Sequence, residues 1–227
     1  CISSAASDVY KRQVFRYSDG SSRILAIWDQ TDQSGQSPEG FLYGTEYVRE
    51  QIDRALELED PHSLVPEKDE IGHGTAVASV AAGSRLEEGS LFTGAAPDCE
   101  IVAVKLRPAK QYLRNFYLYP PEAEAFQEND VMMAIAFAIS QAKKLKMPLS
   151  ICLGIGSSQG AHLGTNALSQ YVDYVANFSQ VSVSVAAGNE GNTRNHSTGI
   201  FSQGREQIVT EPVSYTHLRA HETRHDL

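Results

Sequence analysis

A chain of 227 residues, 41% hydrophobic and 21% charged, is long enough for one large buried core and too ordinary in composition for a disordered tail or a coiled coil. Its formal charge of −9 argues against a nucleic-acid partner, which needs a basic face for phosphates. The longest apolar run, nine residues from Val131 to Ile139, is about half of a bilayer-spanning helix, so no membrane span is expected.

The chain opens with Cys1-Ile-Ser-Ser-Ala-Ala-Ser-Asp-Val-Tyr-Lys-Arg-Gln13 and closes with Val213-Ser-Tyr-Thr-His-Leu-Arg-Ala-His-Glu-Thr-Arg-His-Asp-Leu227; the first Met is Met132. Both strings resemble translated sequencing adapter, so residues 1–13 and 214–227 are set apart from fold reasoning and the native segment is 14–213. Without Lys11, Arg12, Arg219, Arg224, Asp8, Glu222 and Asp226, that segment keeps 15 basic and 25 acidic residues, near −10. Cys99 and Cys152 remain, in apolar surroundings and without metal-ligand spacing, and read as free buried thiols. His217, His221 and His225 recur every four residues and would share a helix face able to gather around zinc; within an adapter string that spacing is accidental.

In chain order, residues 23–28 read as a short buried strand ending at Asp29, and 30–44 as a polar loop. Residues 45–58 read as an amphipathic helix capped by Thr45, with Val48, Ile52, Ala55 and Leu56 on one face. A second helix starts near Gly72-His73 and stops at Gly83, its Ala and Gly content suiting close packing on a sheet. Strand 101–106 follows, then the long segment 107–128, whose Tyr-rich part 112–119 reads more readily as packing than as a substrate wall. Asn129 is expected to cap a long helix with Lys143, Lys144 and Lys146 at its end. Strand 149–153, helix 166–178 and strand 181–187 complete the series.

Strands alternating with helices predict an α/β fold, a mostly parallel sheet covered on both faces. Ligands of such sheets sit beyond the carboxyl ends of the strands, where Asp29, His73 and Asn189 converge. Gly154-Ile-Gly156 alone is a weak dinucleotide signal, and the phosphate loop of a nucleotide-binding module is missing.

The stretch Asp69-Glu-Ile-Gly-His-Gly-Thr75 with its Ala-rich continuation to Gly83 resembles the His motif of the subtilisin-like serine proteases (subtilases, peptidase family S8). Ala186-Ala-Gly-Asn-Glu-Gly191 resembles their oxyanion-Asn motif, and Ile24-Leu-Ala-Ile-Trp-Asp29 the strand carrying their Asp. More narrowly, residues 105–114 and Phe126-Gln-Glu-Asn-Asp130 resemble the branch containing the Csp-type germination proteases of spore-forming bacteria. The resemblance implies a subtilisin-like fold, incomplete at its C-terminus, and a serine endopeptidase working through an acyl-enzyme on a polypeptide substrate. It assigns catalysis to Asp29, His73 and Asn189. Cys152-Leu153-Gly154 and Ala186-Ala187-Gly188 would flank the pocket for the residue before the scissile bond. No cofactor is required; family members often bind structural calcium, for which the sequence gives no site.

The chemistry needs an imidazole to take a proton from a serine hydroxyl and a carboxylate to fix its tautomer, which Asp29 can do for His73 if strand and helix ends meet. The Asn189 amide would donate to the developing oxyanion. Two departures stand out. Asp29 is followed by Gln30-Thr31 where the family usually has Thr-Gly or Ser-Gly, with Asp32 as a nearby rival. The nucleophile motif Gly-Thr-Ser-x-Ala occurs nowhere in the chain, so the serine is expected beyond residue 213 and the fragment alone is expected to be inactive. A protein lacking that serine altogether would be a catalytically dead regulatory or signalling pseudoprotease.

Overall fold

The computed structural model describes residues 2–3, 9–69, 72–85, 92–157 and 163–189. The strands are β1 (Ile2–Ser3), β2 (Ile24–Asp29), β3 (Thr45–Val48), β4 (Ile101–Lys105), β5 (Leu149–Leu153) and β6 (Val181–Val185). The helices are α1 (Arg49–Leu56), α2 (His73–Ala82), α3 (Gln111–Phe116), α4 (Glu128–Leu145) and α5 (Ala167–Ala176). All six strands lie in one sheet, ordered β3-β2-β4-β1-β5-β6, parallel throughout except for the β2–β3 pair.

The antiparallel strand departs from the sequence expectation of one helix over 45–58. Tyr47 is buried against the sheet, the pairing runs from Ala26 opposite Val48 to Asp29 opposite Thr45, and only at Arg49 does the chain turn helical. Gln51 then caps α1 by accepting from the Val48 amide at 3.0 Å. The long helix likewise starts slightly earlier than expected, with Gln127 at the N-cap position and Asn129 already inside it. Asn166, by contrast, caps α5 as a side-chain acceptor for the Ser169 amide at 2.7 Å.

Alternation along the strands feeds two cores. On one face Ile24, Ile27, Tyr47, Ile101 and Ala103 meet Ile52 and Ala55 of α1 and Ala78 and Ala82 of α2. On the other, Ala26, Trp28, Val104, Ile151 and Leu153 meet Val131, Ala134, Ile135 and Phe137 of α4 and Val175 of α5. Ile24 and Ile27, three apart, share a face because the β2–β4 register slips by one residue between Ile24 and Ala26. Trp28 is fully buried, with the rings of Phe41, Tyr43 and Phe137 4.7–5.3 Å away. The turn before β3 requires Gly44, whose φ is +76° and whose Cβ would stand 2.2 Å from the Trp28 Nε1.

From β1 the chain passes to β2 and β3 on one side, returns to β4 between β2 and β1, then crosses through α4 to β5 and β6 on the other. The order therefore reverses at β1, and the crevice of this doubly wound sheet opens beyond the carboxyl ends of β4, β1 and β5. β1 belongs to the stretch read as adapter; it pairs Ile2 with Val104 and with Leu153, and Ser3 with Lys105. Tyr10, in the same stretch, is buried and donates to the Val65 carbonyl at 2.9 Å.

Candidate active site

His73 is the first residue of α2 and is brought to the crevice by its approach loop. Gly72 takes φ +81°, a left-handed turn that glycine adopts without strain. Asp69 substitutes for the missing cap: one carboxylate oxygen accepts from the Gly72 amide, the other from the Thr75 amide at 3.2 Å and hydroxyl at 2.6 Å. A carboxylate at a helix N-terminus satisfies orphan amides and complements the dipole.

The imidazole is exposed and its Nε2 stands 3.1 Å from the carbonyl oxygen of Gly154, just past β5. A carbonyl only accepts, so Nε2 carries the proton in this contact. A Cβ on Gly154 would lie 3.5 Å from Val77 and 3.6 Å from the His73 Nε2, so the glycine backbone lies directly beneath helix and ring. The neighbouring strand end follows: the Ala186 amide donates to the Leu153 carbonyl at 3.0 Å, and Ala186, Ala187, Gly188 and Asn189 are all exposed. Cys152 is half-buried, while the Leu153 side chain is turned into the α4 core, so Leu153 offers the crevice only its backbone. Cys99 and Cys152 are both free.

Asp29 does not join this group. Its strand lies three places from β5 in the sheet, about 14 Å at about 4.8 Å per strand. Its Oδ1 accepts from the Thr31 amide and hydroxyl and the Asp32 amide, and its Oδ2 faces the Lys105 ammonium at 3.7 Å. Among the described residues no carboxylate is hydrogen-bonded to His73. The expected meeting of the β2 end with the start of α2 therefore does not occur, because β4 and β1 lie between them. The rival Asp32 is taken up locally too, accepting from the Ser34 amide and the Tyr47 hydroxyl. Burial acts to raise the Asp32 pKa, but hydrogen bonds from Tyr47, Ser34 and Thr45 outweigh it and leave the carboxyl below its ordinary value.

A buried polar network beside the crevice escaped the sequence reading. Asp130, fully buried in the first turn of α4, takes a two-pronged bond from Arg107 (2.7 and 2.8 Å), with Tyr43 at 2.9 Å and Gln127 at 3.1 Å. Burial, then this carboxylate, push the Tyr43 phenol above its usual range. The available signal was an acid on the same helix face as Ala134 and Phe137. The network anchors the base of segment 107–127, which Pro108 and Phe126 close as a bridge. A cavity of about 330 Å³, lined by Thr31, Lys105, Arg114 and Phe126 among others, lies under that segment. Three of its aromatics are exposed where packing was expected, Tyr112, Phe116 and Tyr117 at 64%, 76% and 48%, whereas Tyr119 is half-buried and Phe126 packs against the core.

The histidine triplet 217, 221 and 225 lies outside the described residues. Among the described residues no group of three His, Cys, Asp or Glu side chains is placed to hold a metal ion. No described helix is long and apolar enough to cross a membrane.

A doubly wound α/β sheet, with the Gly-His-Gly-Thr helix and the Ala-Ala-Gly-Asn strand end at one crevice, defines the subtilisin-like fold class. The chain belongs to the subtilase family (Peptidase S8), which it matches over residues 47–217. That match takes in His73 and Asn189 and begins downstream of Asp29. The structure is also similar to that of the Clostridium perfringens CspB protease, with a TM-score of 0.69 and 27% identity over 85% of this chain. The similarity covers 36% of that protease, so the chain spans about a third of its length. Family and neighbour together place the chain among the subtilases, with a Csp-type protease as a structural neighbour.

Proposed function

We propose that the intact protein is a serine endopeptidase in which His73 is the general base and Asn189 an oxyanion donor. The serine lies in sequence beyond this chain. The observation that carries the reading is the seat of His73, at the switch-point crevice and against Gly154, beside the strand end leading to Asn189. The serine Oγ would attack the scissile carbonyl as His73 takes its proton, and His73 would return that proton to the leaving amine, giving an acyl-enzyme that water then hydrolyses. Removing an amide donor such as Asn189 costs about 10²–10³ in rate, the magnitude measured for such a donor in subtilisin, itself a subtilase.

The carboxylate that orients His73 is assigned not to Asp29 but to the strand occupying the β1 position in the intact protein. That strand alone lies between β4 and β5, next to the end on which the imidazole rests. Such a carboxylate at Nδ1 would hold the proton there and free Nε2 from Gly154. The Gly154 carbonyl would then be open to a substrate amide, a peptide adding as a strand beside Cys152-Leu153-Gly154, with Ala186-Ala187-Gly188 on the far wall of the pocket. The catalytically dead alternative draws on one observation, that no described carboxylate reaches His73. Sequencing the source locus through both chain ends and treating the expressed intact protein with a fluorophosphonate separates the two. Labelling of a serine that requires His73 supports the peptidase; a locus without that serine, or no labelling, supports the pseudoprotease.

A further inference from the structure

Lys105 ends β4 at the switch point, flanked in register by Asp29 of β2 and Ser3 of β1. Its ammonium donates to the Lys68 carbonyl at 2.9 Å and stands 3.7 Å from the Asp29 Oδ2 and 3.9 Å from the Glu67 Oε1. The Asp29 and Glu67 side chains are 4% and 0% exposed, that of Lys105 20%. Two carboxylates withdrawn from water thus face one ammonium, whose hydrogen bond goes to the Lys68 carbonyl.

One of those elements is the approach to His73. Lys68 is followed by Asp69, whose carboxylate grips the Gly72 amide and both donors of Thr75. An unbroken path therefore runs from the end of β4 through Lys105, the Lys68 carbonyl and Asp69 to the first turn of α2, and through His73 to Gly154 at the end of β5. Along it the helix that carries the imidazole is tied to both sides of the crevice. We infer that Lys105 is a positioning residue for His73, fixing the height of the imidazole above the sheet through Lys68 and Asp69. The inference rests on the reading of His73 as the base. It also gives Asp29 a role that suits its position, as the buried counter-charge that holds Lys105.

The test uses the 227-residue chain and needs no peptidase activity. Acylation of His73 by diethyl pyrocarbonate is followed by peptide mass spectrometry, with His62 as internal reference and melting temperature as the measure of fold. Lys105→Met is expected to raise the His73 rate relative to His62 by about fivefold, the weight of one hydrogen bond. Lys105→Arg, which keeps a cation with several donors, is expected to restore the wild-type rate. An unchanged His73 rate in a folded Lys105→Met chain, with only the melting temperature lowered, would make Lys105 a stabilising ion pair and overturn the inference. If Lys105→Met does not fold, Asp69→Asn cuts the same path nearer the helix; an unchanged His73 rate there overturns it equally. Peptidase activity surviving His73→Ala in the intact protein would instead sink the reading of His73 as base, whatever Lys105 does.

Discussion

Arg23 offers the sharpest test of how the His73 helix is held from its far end. Its side chain is 1% exposed, and its guanidinium faces carbonyls and a hydroxyl. It donates to the Ala82 carbonyl at 2.7 Å, the Ser84 hydroxyl at 2.7 Å, the Cys99 carbonyl at 2.6 Å and the Ala96 carbonyl at 3.3 Å. A cation at the last residue of α2 also complements that helix's dipole. Arg23→Met keeps the apolar stem but strands the Ala82 and Cys99 carbonyls and takes the donor from the Ser84 hydroxyl, while Ala96 keeps the Cys99 amide. Each buried acceptor left unmade costs about 1–3 kcal/mol, and water entry recovers part of that, so the net loss is about 4 kcal/mol. Trp28 is the only tryptophan and is fully buried, so its emission reports unfolding directly. With a urea slope of about 2 kcal/mol/M the midpoint should fall by about 2 M. A fall of less than about 0.5 M at an unchanged slope would mean that the guanidinium is not what satisfies those carbonyls.

Other expectations follow from single sites. Gly44→Ala should destabilise by about 2–4 kcal/mol in the same urea assay, since a Cβ there meets Trp28 and the backbone is left-handed. Gly154→Ala, whose Cβ meets only ordinary contacts, should shift stability by less than about 1 kcal/mol, and a larger loss would contradict the placing of the ring. Asp130→Asn should cost about 3–5 kcal/mol by leaving Arg107 without its charge partner, against near neutrality if the pair is solvated. Asp32 has a folded pKa below its unfolded one, so its stabilisation is present above the ordinary carboxyl range and lost as pH falls through the folded value. Urea midpoints for wild type and Asp32→Asn should therefore converge on acidification; a gap that widens would reverse the sign.

Much of the fold was legible because it is written locally. The apolar runs of β4, β5 and β6, the Asn166 cap and the long apolar face of α4 each announce themselves within a few residues. β3 did not, because over four residues the spacing of Thr45 and Val48 fits a helix as well as a strand. At the site, Gly-His-Gly-Thr and Ala-Ala-Gly-Asn were readable as motifs, and the sheet brings their strand and helix ends to one crevice. Asp29 stands apart from His73 for a physical reason. An apolar strand ending in Asp has the same local appearance at any place in a sheet, and strand order is set by crossovers that no short stretch encodes. Lys105 went unseen likewise, since its partners are 37 and 76 positions away in sequence.

The two margins of the sheet are unlike. At one, β3 is four residues long, runs against its neighbour and passes at once into α1. At the other, among the described residues, β6 pairs only with β5, and Val185 is 56% exposed. The two margins thus differ in how far they could be extended: the short β3 gives way at once to a helix, while, among the described residues, the outer side of β6 carries no further strand. A strand that joins at β6, whether from the same polypeptide or from a second molecule at high concentration, would lie next to the stretch that carries Asn189.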